Sequence, residues 1–379
     1  MLLNIDDFKK KARKRVPKLF FEYADSGSWT QSTYRENEAD FEKLKFVPRV
    51  LVDMANRTLE TNIIGQKFSM PVGLAPVGMT GMQHADGEIL AAQAAEEFGI
   101  PFTLSTMSIC SLEAVAEKTS RPFWFQLYVM RDRKFVEALI ERAKAVNCSA
   151  LVLTLDLQIL GQRHKDIRNG LSAPPKFNMK HIWQVGSRPL WCLQMLATKN
   201  RSFGNIIGHA TGISDMSSLS SWTTQQFDPS LSWEDVTWIK KRWGGPLILK
   251  GIMDKGDALK AAKTGADAII VSNHGGRQLD GAPSSISVLP EIVDSVGKHI
   301  EVHLDSGVRS GQDILRAKAL GATATYIGRP YIYGLGVAGK KGVTKVLEIL
   351  RNELDITMAH CGKRDINEVN RSILYGGSL

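Results

Sequence analysis

Short apolar runs recur along the chain, and each is closed by polar or glycine residues. The eight runs are Pro71 to Ala75, Phe102 to Ser105, Phe123 to Leu127, Ala150 to Leu155, Leu247 to Lys250, Ala268 to Val271, Val302 to Asp305 and Thr325 to Gly328. Helix-like stretches lie between them, at Gly87 to Phe98, Asp132 to Val146, Lys255 to Thr264 and Gly311 to Leu320. This strand-then-helix alternation predicts a parallel sheet, and eight units predict a closed barrel.

The length of the chain is compatible with this barrel. A chain of 379 residues that is 43% hydrophobic could form one (β/α)8 barrel with additions or two ordinary domains. No GxGxxG motif opens a helix after the first run, which disfavours an open dinucleotide-binding sheet. We therefore predict an α/β fold, a (β/α)8 TIM barrel, as a single domain over residues 1–379. An N-terminal helical extension and a long insertion after the fourth strand, at about 170–231, are expected additions.

The net charge and the cysteines limit the classes of possible partner and the possible cellular compartment. The net charge of +9 indicates an anionic partner: nucleic acid, phosphate, an acidic substrate or a lipid surface. Nucleic acid is the least supported, because zinc fingers, RNP-type aromatic motifs and long Lys/Arg tracts are absent from the sequence. The four cysteines have no CxxC spacing, so we expect neither metal nor disulfides and a reduced compartment. Without a secretory signal or an 18-residue apolar run, a cytoplasmic location is expected.

One glycine-rich stretch, Ser272 to Asp280, combines a base with a carboxylate-binding group just after an apolar run. His274 can accept a proton near neutral pH. Arg277 can bind a carboxylate through two parallel hydrogen bonds. Gly275 and Gly276 allow a sharp turn that brings both side chains toward one small substrate. The alternative is a strand-to-helix turn whose histidine and arginine are merely solvated.

Polar side chains also end the other runs, where a barrel carries its chemistry. They are Pro76-Val77-Gly78-Met79, Ser105-Thr106, Gln126 with Tyr128, Thr154 with Asp156, Lys250, Ser272, Asp305 with Arg309, and Gly328-Arg329. The last two clusters, with Gly307, suit a phosphate group, because barrels commonly bind phosphate after strands seven and eight. Gln126 and Thr154 could hydrogen-bond a polar heterocycle, with Lys250 placing positive charge beside it. The expected ligand has a phosphate tail and a polar ring.

These motifs resemble those of the FMN-dependent L-2-hydroxy acid dehydrogenases and oxidases, nearly end to end. The resemblance rests on Glu22-Tyr23 with Ser26-Gly27, Leu74-Ala75-Pro76, Phe125 to Tyr128, Thr154-Leu155-Asp156, Gly161-Gln162-Arg163, Lys250-Gly251, Ser272 to Asp280, Asp305 to Arg309 and Gly328-Arg329-Pro330. Ser69 to Val72, Ala75 to Gly78 and Phe102 to Thr106 are most similar to the bacterial respiratory L-lactate dehydrogenases. The resemblance implies FMN as the cofactor and oxidation of a small 2-hydroxy acid.

The resemblance also implies a role for each site residue. His274 would take a proton from the substrate, with Asp156 stabilising the imidazolium and raising the pKa of His274. Arg277 and Tyr23 would hold the substrate carboxylate, Tyr128 the 2-hydroxyl group, and Arg163 would add positive charge at the mouth. The implied FMN-binding set is Pro76, Val77, Gly78, Ser105, Gln126, Thr154, Lys250, Ser272, Asp305, Gly307, Arg309, Gly328 and Arg329. Lys250 would stabilise negative charge on the reduced flavin, and hydride and carbanion routes stay open.

Two positions bear on substrate choice. Met107 replaces a tryptophan of the plant glycolate oxidases, which favours lactate over glycolate. Gly78 replaces an alanine common in the oxidases, so mandelate or a longer 2-hydroxy acid remains an alternative, as does oxygen as the acceptor. A noncatalytic flavin- or lipid-binding relic is disfavoured, because His274, Asp156, Arg277 and Lys250 are all present.

The expected insertion has the composition of a segment that lies on a membrane. It has no Asp or Glu between Asp166 and Asp215. Its cations Lys176, Lys180, Arg188, Lys199 and Arg201 alternate with Ile182, Trp183, Leu190, Trp191, Leu193, Met195 and Leu196. We expect peripheral binding to the cytoplasmic side of the inner membrane and electron transfer to a membrane quinone or cytochrome. The alternatives are a lid over an acidic substrate or a subunit contact, and a homo-oligomer, a tetramer, is expected.

Overall fold

A computed structural model describes residues 1–171, 179–209 and 226–378. Three helices open the chain: α1 (Ile5–Arg15), α2 (Lys18–Ala24) and α3 (Ser32–Lys43). They are followed by an antiparallel hairpin, β1 (Thr61–Ile63) and β2 (Gln66–Phe68). Helix α1 begins where the Asn4 side chain accepts the Asp7 N–H, and it has acids in its first turn and bases in its last. Both features favour a helix, which confirms the expected N-terminal helical extension.

Eight parallel strands then form the barrel. They are β3 (Val72–Leu74), β4 (Thr103–Ser105), β5 (Trp124–Tyr128), β6 (Ala150–Thr154), β7 (Leu247–Ile252), β8 (Ala268–Val271), β9 (Glu301–Leu304) and β10 (Thr325–Ile327). Neighbours in the sheet follow chain order from β4 to β10, and β10 pairs with β3. A parallel bridge between Leu74 and Phe102 joins β3 to β4 and closes the ring. All eight predicted runs are therefore strands, and their apolar composition reflects burial on both faces.

Helices surround the strands. They are α4 (Gly87–Phe98), α5 (Leu112–Ala116), α6 (Arg133–Ala145), α7 (His164–Arg168), α8 (Met179–Gly186), α9 (Pro189–Ala197), α10 (Trp233–Trp243), α11 (Lys255–Ala261), α12 (Ser285–Val296), α13 (Gly311–Ala319) and α14 (Arg329–His360). Short 3₁₀ turns lie at Thr80–Met82, Ile366–Glu368, Arg371–Ile373 and Gly376–Ser378. Helix α14 is kinked at Ala338 and Gly339, which leave the helical conformation. The four predicted helical stretches are confirmed, with boundaries that shift by no more than three residues.

The interior of the barrel is filled by its own side chains. Trp124, Ile270 and Tyr326 pack there, and the hairpin residue Phe68 meets Trp124 edge-on with ring centroids 6.3 Å apart. The β1–β2 hairpin thus covers one end of the barrel. The opposite end, where the strands terminate, is left for the site.

The segment between β6 and α10 carries α7, α8 and α9, and part of it is attached firmly to the barrel. The Trp191 indole N–H donates to the Met82 carbonyl at 2.9 Å, and Thr198 and Asn200 both donate to Asp86. Within the described ranges, no helix is both long enough and apolar enough to cross a bilayer. Lys176 of the expected basic segment lies outside the described residues.

Candidate active site

A cavity of about 850 Å³ lies at the C-terminal ends of the barrel strands. All five predicted substrate-binding residues line it: Tyr23, Tyr128, Arg163, His274 and Arg277. Nine predicted cofactor-binding residues line it as well, namely Pro76, Val77, Gly78, Lys250, Asp305, Gly307, Arg309, Gly328 and Arg329. Residues distant in sequence share one wall because the ends of parallel strands converge in a closed barrel.

The loop that follows β8 has an unusual backbone. Three consecutive residues adopt the left-handed conformation: His274 (φ 58°), Gly275 (φ 69°) and Gly276 (φ 70°). A side chain at Gly276 would place its Cβ 2.6 Å from the Tyr34 backbone nitrogen, so only glycine fits. His274 adopts this costly conformation as a non-glycine residue, and its N–H donates to Ser272 Oγ at 3.1 Å. The turn brings both His274 and Arg277 to the cavity, as the glycine pair predicts.

His274 begins a row of ionisable side chains. Its Nδ1 lies 2.9 Å from Asp156 Oδ1, and Asp156 Oδ2 lies 4.0 Å from Lys250 Nζ. Lys250 Nζ in turn lies 3.4 Å from Asp305 Oδ2 and donates to Ser272 Oγ at 2.9 Å. His274 Nδ1–H donates to the Asp156 carboxylate, which leaves Nε2 as the proton acceptor of the neutral imidazole. Asp156 therefore orients His274, and Lys250 orients Asp156.

Asp156 raises the pKa of His274, as expected, but it does not set the net direction. Burial lowers the pKa of this imidazole, and Lys250 and Arg277 lower it further, which together outweigh the opposing effect of Asp156. Burial also raises the pKa of Asp156, but His274 and Lys250 outweigh it and hold that pKa below its ordinary value. At neutral pH the site thus holds a neutral imidazole beside a carboxylate, which is the state required of a general base.

The carboxylate-binding part of the site is built around Tyr23. The Arg277 guanidinium carbon lies 4.9 Å from the Tyr23 ring centroid, and Arg277 Nη1 donates to the Tyr23 and Ser26 carbonyls. The Arg163 guanidinium carbon lies 5.7 Å from the same ring, and its Nε lies 3.2 Å from Asp166 Oδ2. Burial, together with Arg163, lowers the pKa of Arg277 to about 10. Two guanidinium groups with one nearby carboxylate leave positive charge that a substrate carboxylate would neutralise.

Tyr128 supplies the phenol that the sequence predicts for the 2-hydroxyl group. Burial raises its pKa above the ordinary value, so the phenol keeps its proton and can donate a hydrogen bond. Its ring meets Phe227 edge-on, with centroids 5.8 Å apart, and a bridge between Met130 and Phe227 fixes the backbone there. Phe227 therefore supports Tyr128 from a distant part of the chain.

The predicted phosphate-binding end gathers two arginines and a glycine. Arg329 donates to the carbonyls of Ala24, Ser26 and Gly275, so its hydrogen bonds go to backbone oxygens. Arg309 is ion-paired with Glu38 at 2.8 Å, which the sequence did not predict. A side chain at Gly307 (φ 92°) would place its Cβ 1.9 Å from the Asn37 carbonyl oxygen. Glycine is therefore required for this loop to pack against α3.

Four predicted cofactor-binding residues lie beneath the cavity wall. Ser105, Gln126, Thr154 and Ser272 are buried and are not among the lining residues. Ser105 Oγ donates to Gln126 Oε1 at 3.1 Å, and Gln126 Nε2 donates to Thr154 Oγ1 at 3.0 Å. The result is a hydrogen-bonded row across the ends of β4, β5 and β6. Their assignment to the cofactor stays a prediction.

Sequence reasoning missed three residues that shape the site. They are Asp166 beside Arg163, Glu38 beside Arg309, and Phe227 against Tyr128. Asp166 could have been found from its i, i+3 spacing to Arg163. For Glu38 and Phe227 the sequence carries no local signal, because their contacts depend on the packing of distant segments.

The chain is similar to known proteins over almost its whole length. The model of the family described as FMN-dependent dehydrogenase matches residues 12–376. The L-lactate dehydrogenase of Haemophilus influenzae (strain PittEE) is 44% identical over 378 residues, which cover 99% of this chain and 98% of that protein. The L-lactate dehydrogenase of Ectopseudomonas mendocina (strain ymp) is 44% identical over 372 residues, or 97% of each chain.

Solved structures extend the similarity to the fold. The monotopic membrane protein (S)-mandelate dehydrogenase superposes with a TM-score of 0.94, at 34% identity and with 99% of each chain covered. A soluble mutant of the membrane-associated (S)-mandelate dehydrogenase from Pseudomonas putida gives a TM-score of 0.84, again at 34% identity over 99% of each chain.

The cavity has the donor groups that FMN requires. Arg329, Arg309 and the Gly307 backbone provide cationic and N–H donors at one end, which suit a phosphate group. Lys250, buried and charged, lines the same cavity and can place positive charge beside a flavin ring. Its pKa is raised because Asp305 and Asp156 outweigh the effect of burial, so the ammonium persists. With these residues in place and with a family match that spans residues 12–376, the chain belongs to the FMN-dependent dehydrogenase family.

Proposed function

We propose that the protein oxidises L-lactate to pyruvate with FMN as its electron carrier. The observation that carries this proposal is that one cavity is lined both by His274, whose Nδ1 lies 2.9 Å from Asp156, and by Arg277 stacked on Tyr23. A base beside a carboxylate-binding group is the arrangement that oxidation of a 2-hydroxy acid needs. The whole-length similarity to L-lactate dehydrogenases supports lactate as the substrate.

Each residue then has a defined task. Arg277 and Tyr23 bind the substrate carboxylate. Arg163 adds positive charge at the mouth, and Tyr128 donates a hydrogen bond to the 2-oxygen. His274 Nε2 takes one proton, from the 2-hydroxyl group in a hydride route or from C2 in a carbanion route. Asp156 stabilises the imidazolium that forms. FMN, when bound, supplies the acceptor for the two electrons, and the ammonium of Lys250 stabilises negative charge on it.

Gly78 favours a second candidate, a larger 2-hydroxy acid such as mandelate. A Cβ at Gly78 would lie 3.2 Å from both Met107 Cβ and Tyr23 Oη, so glycine leaves space between them. The similarity to (S)-mandelate dehydrogenase agrees with that space. Lactate stays the first candidate because the L-lactate dehydrogenases share more of the sequence.

The substrate can be tested by flavin bleaching. The purified protein with FMN bound is mixed anaerobically with L-lactate, (S)-mandelate, glycolate or D-lactate, and flavin absorbance is followed. We expect the fastest bleaching with L-lactate and none with D-lactate. Faster bleaching with (S)-mandelate would make mandelate the preferred substrate. If none of the acids bleached the flavin, the enzymatic role would be refuted.

We further propose that the protein binds the membrane surface peripherally and passes electrons to a membrane quinone or cytochrome. Helices α8 and α9 expose Met179, Ile182, Trp183, Leu190, Leu193 and Leu196. So large an apolar surface on a segment rich in cations suits a lipid interface. Membrane-associated mandelate dehydrogenases of the same fold support the proposal. We also propose that the protein is a homotetramer on the cytoplasmic side of the membrane. The four free cysteines suit that compartment.

Substitution on this surface tests membrane binding. A Trp183→Gln/Leu193→Gln double variant should bind anionic vesicles at least about tenfold more weakly, because two apolar side chains no longer leave water. Leu259→Gln, on α11, is the matched control and should bind like the wild type. Sedimentation with vesicles at low and high salt measures the affinity. Equal binding of the wild type and the double variant would favour a lid or a subunit contact.

A further inference from the structure

Exposed apolar side chains also occur outside helices α8 and α9, on the barrel itself. Ile159 in the loop after β6 is 76% exposed, Ile167 on α7 is 53% exposed, and Leu279 in the loop after β8 is 67% exposed. We call these three residues the rim. All of them follow the C-terminal ends of barrel strands, so they lie at the same end of the barrel as the cavity.

The rim is held in a defined arrangement. Gln278 Nε2 donates to the carbonyls of Asp156 at 2.8 Å and Ile159 at 3.0 Å, and Gly161 N donates to Gln278 Oε1 at 3.3 Å. The two loops therefore run side by side, with Ile159 on one and Leu279 on the other. A side chain at Gly161 would place its Cβ 2.7 Å from the Arg277 and Gln278 carbonyl oxygens, which shows how closely the loops approach.

The rim lies beside the cavity mouth, and α2 links it to the exposed helices. Ile167 lines the cavity, and so does Gln278, which precedes Leu279 in the chain. Phe20 on α2 also lines it. Helix α2 contacts both α7 and α8, and the Phe20 ring of α2 stacks on Trp191 of α9 with centroids 5.4 Å apart. Helix α2 thus connects α7, which carries Ile167, to the exposed helices α8 and α9.

Exposed cations lie on the same segments as these apolar side chains. Arg168 on α7 is exposed, as are Lys199 and Arg201 just after α9. Single exposed apolar residues are common on soluble proteins, but here several lie at the cavity end of the barrel, with exposed cations on the same segments. That combination suits the headgroup region of an anionic bilayer, where apolar side chains leave water and Lys and Arg meet phosphate.

We propose that the rim is a second membrane contact, so that the cavity mouth faces the bilayer. Ile159, Ile167 and Leu279 enter the headgroup boundary together with the exposed faces of α8 and α9. This inference rests on the proposed peripheral membrane function and adds the orientation of the active site. A lipid-soluble electron acceptor then reaches the cavity from the membrane without crossing bulk water.

The orientation can be measured with single labelled cysteines in the FMN-bound protein. Cys110, Cys148 and Cys361 are buried, so a Cys192→Ser background leaves few reactive thiols. Cysteines introduced at Ile159, Leu279, Leu193 and Leu259 carry a fluorophore whose emission rises in an apolar environment. Vesicles contain anionic lipid and, in a parallel set, lipids with a nitroxide on the acyl chain that quenches nearby fluorophores.

Labels at Ile159, Leu279 and Leu193 should brighten on vesicles and be quenched by the nitroxide, whereas the label at Leu259 should not respond. If only the Leu193 label responds, the second contact is refuted while peripheral binding stands. If no label responds and the same samples still oxidise L-lactate with an artificial dye, membrane binding is refuted and the enzymatic role stands. A response of the Leu259 label equal to the others would also refute a defined orientation.

Discussion

Replacement of His274 by alanine should leave FMN bound and slow flavin reduction by L-lactate by about 10² to 10⁴, the usual cost of losing a general base. The residue acts on the substrate proton, and its Nδ1 contact is to Asp156 at 2.9 Å. Anaerobic stopped-flow measurement of flavin absorbance checks the rate. His84→Ala is the matched control, because His84 does not line the cavity and bonds only to the Ala85 carbonyl among the described contacts. Reduction of His274→Ala at a near wild-type rate would disprove the assignment.

The pH dependence of the wild type gives an independent check. Burial lowers the pKa of His274 from its ordinary value of 6.5, so the neutral base form persists as the pH falls below 6.5. We expect the acid limb of kcat/KM for L-lactate to lie below pH 6.5. His274→Ala should lose that limb. An acid limb above pH 6.5 would show that the effect of Asp156 outweighs burial and raises the pKa of His274.

Replacement of Arg277 by lysine should raise KM for L-lactate and lower kcat, with a combined loss in kcat/KM of roughly 10- to 100-fold. An ammonium keeps the charge but not the planar pair of donors, and hydrogen bonds to charged groups contribute about 1.5 to 3 kcal/mol. The guanidinium also stacks on Tyr23 and donates to backbone carbonyls, which a lysine cannot reproduce together. Steady-state kinetics with an artificial dye measure the loss.

Arg163→Lys is the matched control for this variant. Arg163 already bonds to Asp166, so its charge is partly neutralised and its replacement should cost less. Flavin content and thermal unfolding of both variants separate a binding defect from a folding defect. If Arg277→Lys kept wild-type constants while Arg163→Lys did not, the carboxylate would be bound at Arg163.

Surface substitutions test membrane binding more cleanly than deletion of the basic segment would. Removing the basic stretch through Phe203 would also remove Thr198 and Asn200, which donate to Asp86, and Phe203 itself, which is buried. Loss of these contacts would disturb the barrel, so a deletion could not separate membrane binding from folding. Surface substitutions such as Trp183→Gln and Leu193→Gln leave them intact.

Much of the fold could be predicted because a parallel barrel has a simple sequence pattern. Strands buried on both faces are continuous apolar runs such as Ala150 to Leu155, and the observed β6 (Ala150–Thr154) ends within one residue of it. In such barrels, polar side chains at the ends of these runs are the candidates for catalysis, so His274, Asp156 and Lys250 could be chosen from their positions in the chain. The convergence of strand ends then brought them together at one end of the barrel.

The sequence by itself determined the barrel, the residues at its strand ends and the chemistry that they can perform, because these depend on local composition and on a geometry common to all such barrels. Only the tertiary structure decided the pKa direction of His274, since burial and the opposing charges of Asp156, Lys250 and Arg277 act together at one atom group. It also decided the pairing of Arg309 with Glu38 and the support of Tyr128 by Phe227. Such contacts join distant segments, and their strength depends on distance and burial, which residue order does not specify.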